Sequence, residues 1–121
     1  MLGIIGAMDE EVAMIKAQLT DVQVETRAAM DFYKGKLEGK EVVVVRSGIG
    51  KVNAAMCTQI LADIYGVTGV VNTGIAGSLK AEIDIGDIVL SSDAVQHDMD
   101  ATGFGYEPGQ IPRVETLAFK A

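Results

Sequence analysis

Cysteine is nearly absent. Cys57 is the only one, so no disulfide can form within the chain. It stands among apolar residues at helical spacing and reads as a buried structural thiol, which fits a reducing compartment such as the cytoplasm. Basic residues are also scarce, with 10 Lys and Arg against 17 Asp and Glu and a formal charge of −7. That balance speaks against nucleic acid, whose binding runs on basic patches, while leaving room for a small anion held by backbone amides. No long apolar run occurs. The N-terminal one, Leu2 to Ile5, has no basic segment before it and is too short for a secretory signal or a membrane span. The expectation is a soluble, cytoplasmic protein with no membrane partner. His97 is the sole histidine, and with Asp98 and Asp100 it makes too thin a ligand set for a metal, so a solvated or interface loop is expected there, with no metal and no cofactor. There is no internal repeat and no low-complexity linker. At 121 residues the chain is at most one domain, and with 49% hydrophobic residues it can bury a real core.

What is present is organised around the first dozen residues. Leu2 to Ile5 reads as a fully buried strand. Gly6 breaks it, and Asp9, Glu10 and Glu11 then open an amphipathic helix carrying Val12, Met14 or Ile15, and Leu19. Asp9 suits the N-cap or the first turn, where a carboxylate meets unpaired N–H groups and the positive end of the helix dipole. Val22 to Thr26 predicts an edge strand. Met30 to Leu37 and Val42 to Val45 predict a hairpin joined through Glu38-Gly39-Lys40, and a run of four valines predicts a central strand covered on both faces. After Arg46-Ser47-Gly48-Ile49-Gly50, Val52, Ala55, Met56, Ile60, Leu61 and Ile64 predict a helix over 51–65, stopped at Gly66. Gly69 to Val71 is a third apolar strand, running into Asn72-Thr73-Gly74-Ile75-Ala76-Gly77-Ser78. Ile83 to Ser91 predicts one more strand, carried on towards Gln96. From His97 onward the periodicity dissolves, with Phe104 and Tyr106 as aromatics wanting a partner surface. The ending inside such a stretch suggests a piece of something longer. The fold class is therefore α/β, with βαβ connections and a mixed sheet.

Three strands end in small-residue loops at one edge of this sheet, where open α/β sheets bind ligands. None has the spacing of a Walker or dinucleotide loop. For each loop singly, tight packing of strand against helix is explanation enough; three together favour a site. The acids pose the same contest. A first-turn carboxylate stabilises a helix by about 0.3–1 kcal/mol, whereas one turned inward can act as a general acid or base. With Asp9 on the cap, either Glu10 or Glu11 is the candidate, and spacing does not separate them.

The segments Gly6-Ala7-Met8-Asp9-Glu10-Glu11, Ser47-Gly48-Ile49-Gly50-Lys51-Val52, Asn72-Thr73-Gly74-Ile75-Ala76-Gly77 and Phe104-Gly105-Tyr106-Glu107, in this order over all 121 residues, resemble the bacterial 5′-methylthioadenosine/S-adenosylhomocysteine nucleosidases of the purine nucleoside phosphorylase and uridine phosphorylase superfamily. The resemblance implies a three-layer α/β fold, with a mixed central sheet flanked by helices, and hydrolysis of an N-glycosidic bond with release of adenine. It covers about the first half of a family domain, so residues 1–121 are expected to be the N-terminal part of a single nucleosidase domain. By position, Glu11 matches the glutamate that activates water. Ala7, Met8, Ile49, Ile75, Ala76 and Gly77 match the lining of the ribose and base pocket, and Ile75 departs from the pattern, since serine is common there. Ala101, Phe104 and Pro112 match a loop that, in the family's homodimer, covers the 5′-thioalkyl pocket of the neighbouring subunit. The family's Met-Glu pair that grips the ribose hydroxyls, and the Asp that protonates adenine, belong to the half with no counterpart here.

Two other functions compete. A phosphorylase would need a cationic pocket and, in this superfamily, an Arg in the first loop; Asp9, Glu10 and Glu11 would repel phosphate instead, and Arg46 alone does not reverse that. A non-catalytic half domain serving assembly is the alternative outside enzymology.

Overall fold

A computed structural model describes residues 1–121, which form two compact units, Met1–Gly77 and Ser78–Ala121. The first unit contains β1 (Leu2–Gly6), α1 (Asp9–Ala17), β2 (Thr20–Arg27), β3 (Met30–Leu37), β4 (Lys40–Arg46), α2 (Lys51–Asp63) and β5 (Gly69–Asn72). Its sheet has the order β2-β3-β4-β1-β5, with β1 parallel to both β4 and β5 and with β2, β3 and β4 antiparallel in succession. The mixed sheet is thus a meander joined to a crossover, β4 to β5 through α2 over β1.

The valine run sits at the middle of the unit for a simple reason. Alternate side chains of a strand point to opposite faces. Val43 and Val45 pack with Ile5, Met30, Phe32, Cys57 and Leu61, while Val42 and Val44 pack with Val12 and against Ile4, Ile15 and Leu19. All four valines are buried. At roughly 1.5–3 kcal/mol per buried side chain of this kind, β4 anchors both halves of the core. Helix α2 covers one face and α1 the other, which makes three layers.

The structure chooses between the alternatives for one helix and corrects the stripe expected for the other. In α1 the inward side is Val12 and Ile15, and Met14 is 76% exposed. In α2 the buried pair is Cys57 and Leu61, one turn apart, whereas Val52, Met56 and Ile64 are exposed. The helix is apolar on two sides, and periodicity alone cannot say which one meets the sheet. Burial pushes the Cys57 thiol up to about 11, so it is inert as a nucleophile.

Both hairpin turns use left-handed backbone. Glu38 and Gly39 turn between β3 and β4 with φ of 48° and 79°, and Ala28 and Ala29 turn between β2 and β3 with φ of 49° and 61°. The second is costly, since a residue with a Cβ held in this region loses about 1 kcal/mol or more. Ala29→Gly is expected to stabilise the chain by about 1 kcal/mol, read as a higher melting temperature; an unchanged or lower value would contradict the strain.

The second unit has little regular structure: β6 (Asp93–Ala94) pairs antiparallel with β7 (Phe119–Lys120), and Thr102–Phe104 forms one 3₁₀ turn. The strand expected over Ile83 to Ser91 does not form. Only Asp93 and Ala94 of its continuation are strand, and Ile85, Ile88, Val89 and Leu90 are at least 65% exposed. A strand needs a neighbour to take its N–H and C=O groups, and no strand of this unit runs beside that segment. No helix of the chain is long and apolar enough to cross a membrane.

Candidate active site

The register of the parallel strands brings three loops to one sheet edge. Gly6 lies opposite Arg46 and Ile5 opposite Asn72, so β1, β4 and β5 end level. Backbone bonds extend the alignment: the Ser47 N–H donates to the Gly6 carbonyl at 2.9 Å and the Thr73 N–H to the Ile5 carbonyl at 2.8 Å. Ser47 is buried, and its hydroxyl donates to the Gly48 carbonyl at 2.8 Å. It stitches the first loop to the second, a role that gave no signal in the sequence.

Glu11 stands where these loops meet. Its Oε2 accepts the N–H groups of Ala7 at 2.7 Å and Met8 at 3.0 Å, and its Oε1 accepts the N–H of Ile75 at 3.1 Å. The carboxylate therefore joins the β1–α1 loop to the segment after β5. Asp9 does not cap the helix. Met8 occupies the N-cap with extended backbone, and Glu11, at the third helical position, reaches back to its N–H. This is half of a capping box, and of the two places open to Asp9 it takes the first turn, because an acid three positions past the cap can satisfy the N-cap donor. Asp9 pairs instead with Arg46, Nε to Oδ1 at 3.3 Å, and lies 3.9 Å from Lys16 Nζ. Glu10 is exposed.

The hydrogen bonds from Met8, Ile75 and Ala7 hold the Glu11 carboxyl below its ordinary value of 4.5 against a smaller opposing effect of desolvation. Glu11 is thus ionised throughout the neutral range. Because its folded pKa is depressed, its contribution to stability is present above the unfolded value and lost as pH falls through the folded one. A carboxylate has about four acceptor positions. Three are filled by N–H groups, two on Oε2 and one on Oε1, which leaves one on Oε1 for an outside donor such as water.

The remaining predicted residues are placed as follows. Ala7 and Met8 are half-buried beside Glu11, and Ile75 gives it a backbone N–H while its side chain is 86% exposed. Ile49 is exposed in the second loop, where its carbonyl accepts from Asn53 Nδ2 at 2.8 Å. Ala76 and Gly77 follow Ile75 and are exposed. In the second unit, Ala101 is buried, Phe104 is 88% exposed and Pro112 is exposed. His97 lies 3.9 Å from Asp98, and Asp100 accepts from the Thr102 hydroxyl at 2.7 Å and N–H at 3.0 Å. No group of three or more His, Cys, Asp and Glu is disposed to hold a metal. A groove lined by Met1, Leu2, Ile4, Leu37 and Val42 together with the charged Glu38, Lys40 and Glu41 lies at the amino end of β1, the opposite end from Glu11.

The parallel strands β4, β1 and β5 of the mixed sheet thus end level around an ionised carboxylate held by backbone amides, as ligand-binding α/β folds do. The model of the phosphorylase superfamily matches residues 1–121, and the chain belongs to that superfamily. Among curated relatives, the 5′-methylthioadenosine/S-adenosylhomocysteine nucleosidase of Marinomonas sp. (strain MWYL1) is 52% identical over 94% of this chain and 49% of its own length. Among solved structures, the nucleosidase of the same name from Colwellia psychrerythraea, in complex with adenine, is 51% identical with a TM-score of 0.94, covering 98% of this chain and 49% of that one. That of Neisseria meningitidis, in complex with methylthio-immucillin-A, is 36% identical with a TM-score of 0.94, covering 99% and 52%. The chain spans about half the length of the relatives it matches. The three-layer architecture expected from the resemblance is the one these structures share.

Proposed function

We propose that residues 1–121 are the first part of a single nucleosidase domain and carry the water-activating half of an enzyme that hydrolyses the N-glycosidic bond of 5′-methylthioadenosine and S-adenosylhomocysteine. The observation that carries this reading is the Glu11 carboxylate, ionised and fixed by three N–H groups, with one acceptor position open. Breaking the bond from adenine leaves a sugar with oxocarbenium character, and water must add to its anomeric carbon as it forms. A carboxylate holding that water takes its proton and favours the developing positive charge. Ala7, Met8, Ile49, Ile75, Ala76 and Gly77 line the ribose and base side, on small residues and peptide groups that allow close approach. The protein works in the cytoplasm as a homodimer, and Ala101, Phe104 and Pro112 cover the partner's 5′-thioalkyl pocket; the exposed Phe104 ring supports this, since a thioether tail gains by leaving water for such a surface.

Hydrolysis is favoured over phosphorolysis by charge. Asp9, Glu10 and Glu11 crowd the first loop, and the Arg46 guanidinium is bonded to Asp9. In a chain of the relatives' full length whose first half is residues 1–121, adenine release from methylthioadenosine should proceed equally fast with and without phosphate, with no sugar phosphate formed. A rate that depends on phosphate would make it a phosphorylase.

A further inference from the structure

We propose that the Gly74–Ile75 peptide is the positioning element of Glu11, and that position 74 must lack a side chain so that the free acceptor position of Oε1 stays aimed at the attacking water. This rests on the reading of Glu11 as the water-activating base and adds a residue to it. Oε2 is fully engaged by Ala7 and Met8, so the orientation of Oε1 is set from the other side, by the Ile75 N–H at 3.1 Å. A Cβ on Gly74 would stand 2.5 Å from Oε1, 2.8 Å from Cδ and 3.1 Å from Oε2. It would press on the whole carboxylate. Gly74 is not in the left-handed region, so no turn requires glycine there; the reason is space. Three residues on, a Cβ at Gly77 would meet nothing within 4 Å, and one on Gly6 would meet Val12 Cγ1 at 2.7 Å and Glu11 Cβ at 3.1 Å, so Gly74 is the glycine whose Cβ would press first on the carboxylate itself.

The charges around Glu11 are few. Its own helix supplies Asp9 and Glu10 beside it, Lys16 and Arg46 both lie against Asp9, and the segment 72–77 brings peptide groups and no titratable side chain. Loss of the Ile75 bond is therefore the change that a substitution at position 74 would print on the titration of Glu11. A carboxylate displaced by about 1 Å costs on the order of 10²-fold in rate, while substrate binding is left nearly alone.

The test measures kcat, KM and the acidic limb of kcat/KM for Gly74→Ala, Ile75→Pro and Glu11→Gln, in a chain of the relatives' length that begins with residues 1–121. Ile75→Pro removes the N–H and puts the ring Cδ where Oε1 accepted the hydrogen, so it breaks the same bond from the other residue of the peptide. Gly74→Ala should lower kcat about 10²-fold with KM within about threefold, and both variants should move the acidic limb upward towards the ordinary glutamate range. Normal kcat and an unmoved limb in Gly74→Ala, beside an inactive Glu11→Gln, would overturn the positioning role and leave the base intact. An active Glu11→Gln would overturn both. Should Gly74→Ala fail to fold, the limb of Ile75→Pro decides, and an unmoved limb overturns the proposal.

Discussion

Glu11→Gln is expected to bind substrate and adenine as the parent does and to lose about 10²- to 10⁴-fold in turnover, the range supplied by a positioned proton acceptor. The amide oxygen can still accept the N–H groups of Ala7 and Met8, which both use Oε2. The amide nitrogen then faces the Ile75 N–H, donor against donor, where Oε1 accepted at 3.1 Å. A small stability loss accompanies the loss of rate. Glu10→Gln should stay within a few-fold of the parent, because Glu10 is exposed beside the site. Steady-state kinetics with an adenine-binding titration separates the two. Equal losses, or a worse Glu10 variant, would put the base elsewhere.

Residues 1–121 by themselves should release no adenine. The resemblance places the Asp that protonates adenine, and the Met-Glu pair that grips the ribose, in the second half of a family domain. General acid assistance to a departing base is worth about 10²- to 10⁴-fold, and a ribose held by one side of its site loses positioning as well. The isolated chain should also associate. Val70 and Val71 on the edge strand β5, and Ile85, Ile88, Val89 and Leu90 in the second unit, are exposed apolar residues in segments that offer unpaired backbone groups. Assay and light scattering on a purified chain of 12.7 kDa test both statements. Adenine release near that of a chain of the relatives' length would contradict the division of labour.

The sequence was most legible where composition leaves one solution. Four consecutive valines have no place except a strand buried on both faces, and Gly6, the Ser47–Gly50 stretch and the Thr73–Gly77 stretch mark strand ends that register then brings level. It was least legible where the answer depends on partners distant in the chain. The Ala28-Ala29 turn carries none of the Asn or Gly that left-handed φ usually draws. The inward side of α2 was fixed by the packing of Leu61 against Gly3, where a Cβ would stand 2.8 Å from Cδ1. Ile83 to Ser91 has strand composition without a strand beside it. At the site, the choice between Glu10 and Glu11 was open from spacing because both sit in one helical turn. The fold gives Glu11 the Ile75 N–H, 64 positions away, and leaves Glu10 exposed, a difference that no local pattern encodes.

In the proposed mechanism Glu11 acts on water and the departing base is assisted from the other half of the domain. An activated substrate isolates the two. In p-nitrophenyl 5-methylthio-β-ribofuranoside the phenolate leaves without needing a proton, so leaving-group assistance drops out of the rate while water activation does not. The measurement is kcat/KM of the parent and of Glu11→Gln, in a chain of the relatives' length, on this compound and on methylthioadenosine. Glu11→Gln should stay impaired by about 10²-fold or more on both. Restoration of Glu11→Gln to near-parent rates by the activated leaving group would contradict it, because Glu11 would then be serving the base and not the water.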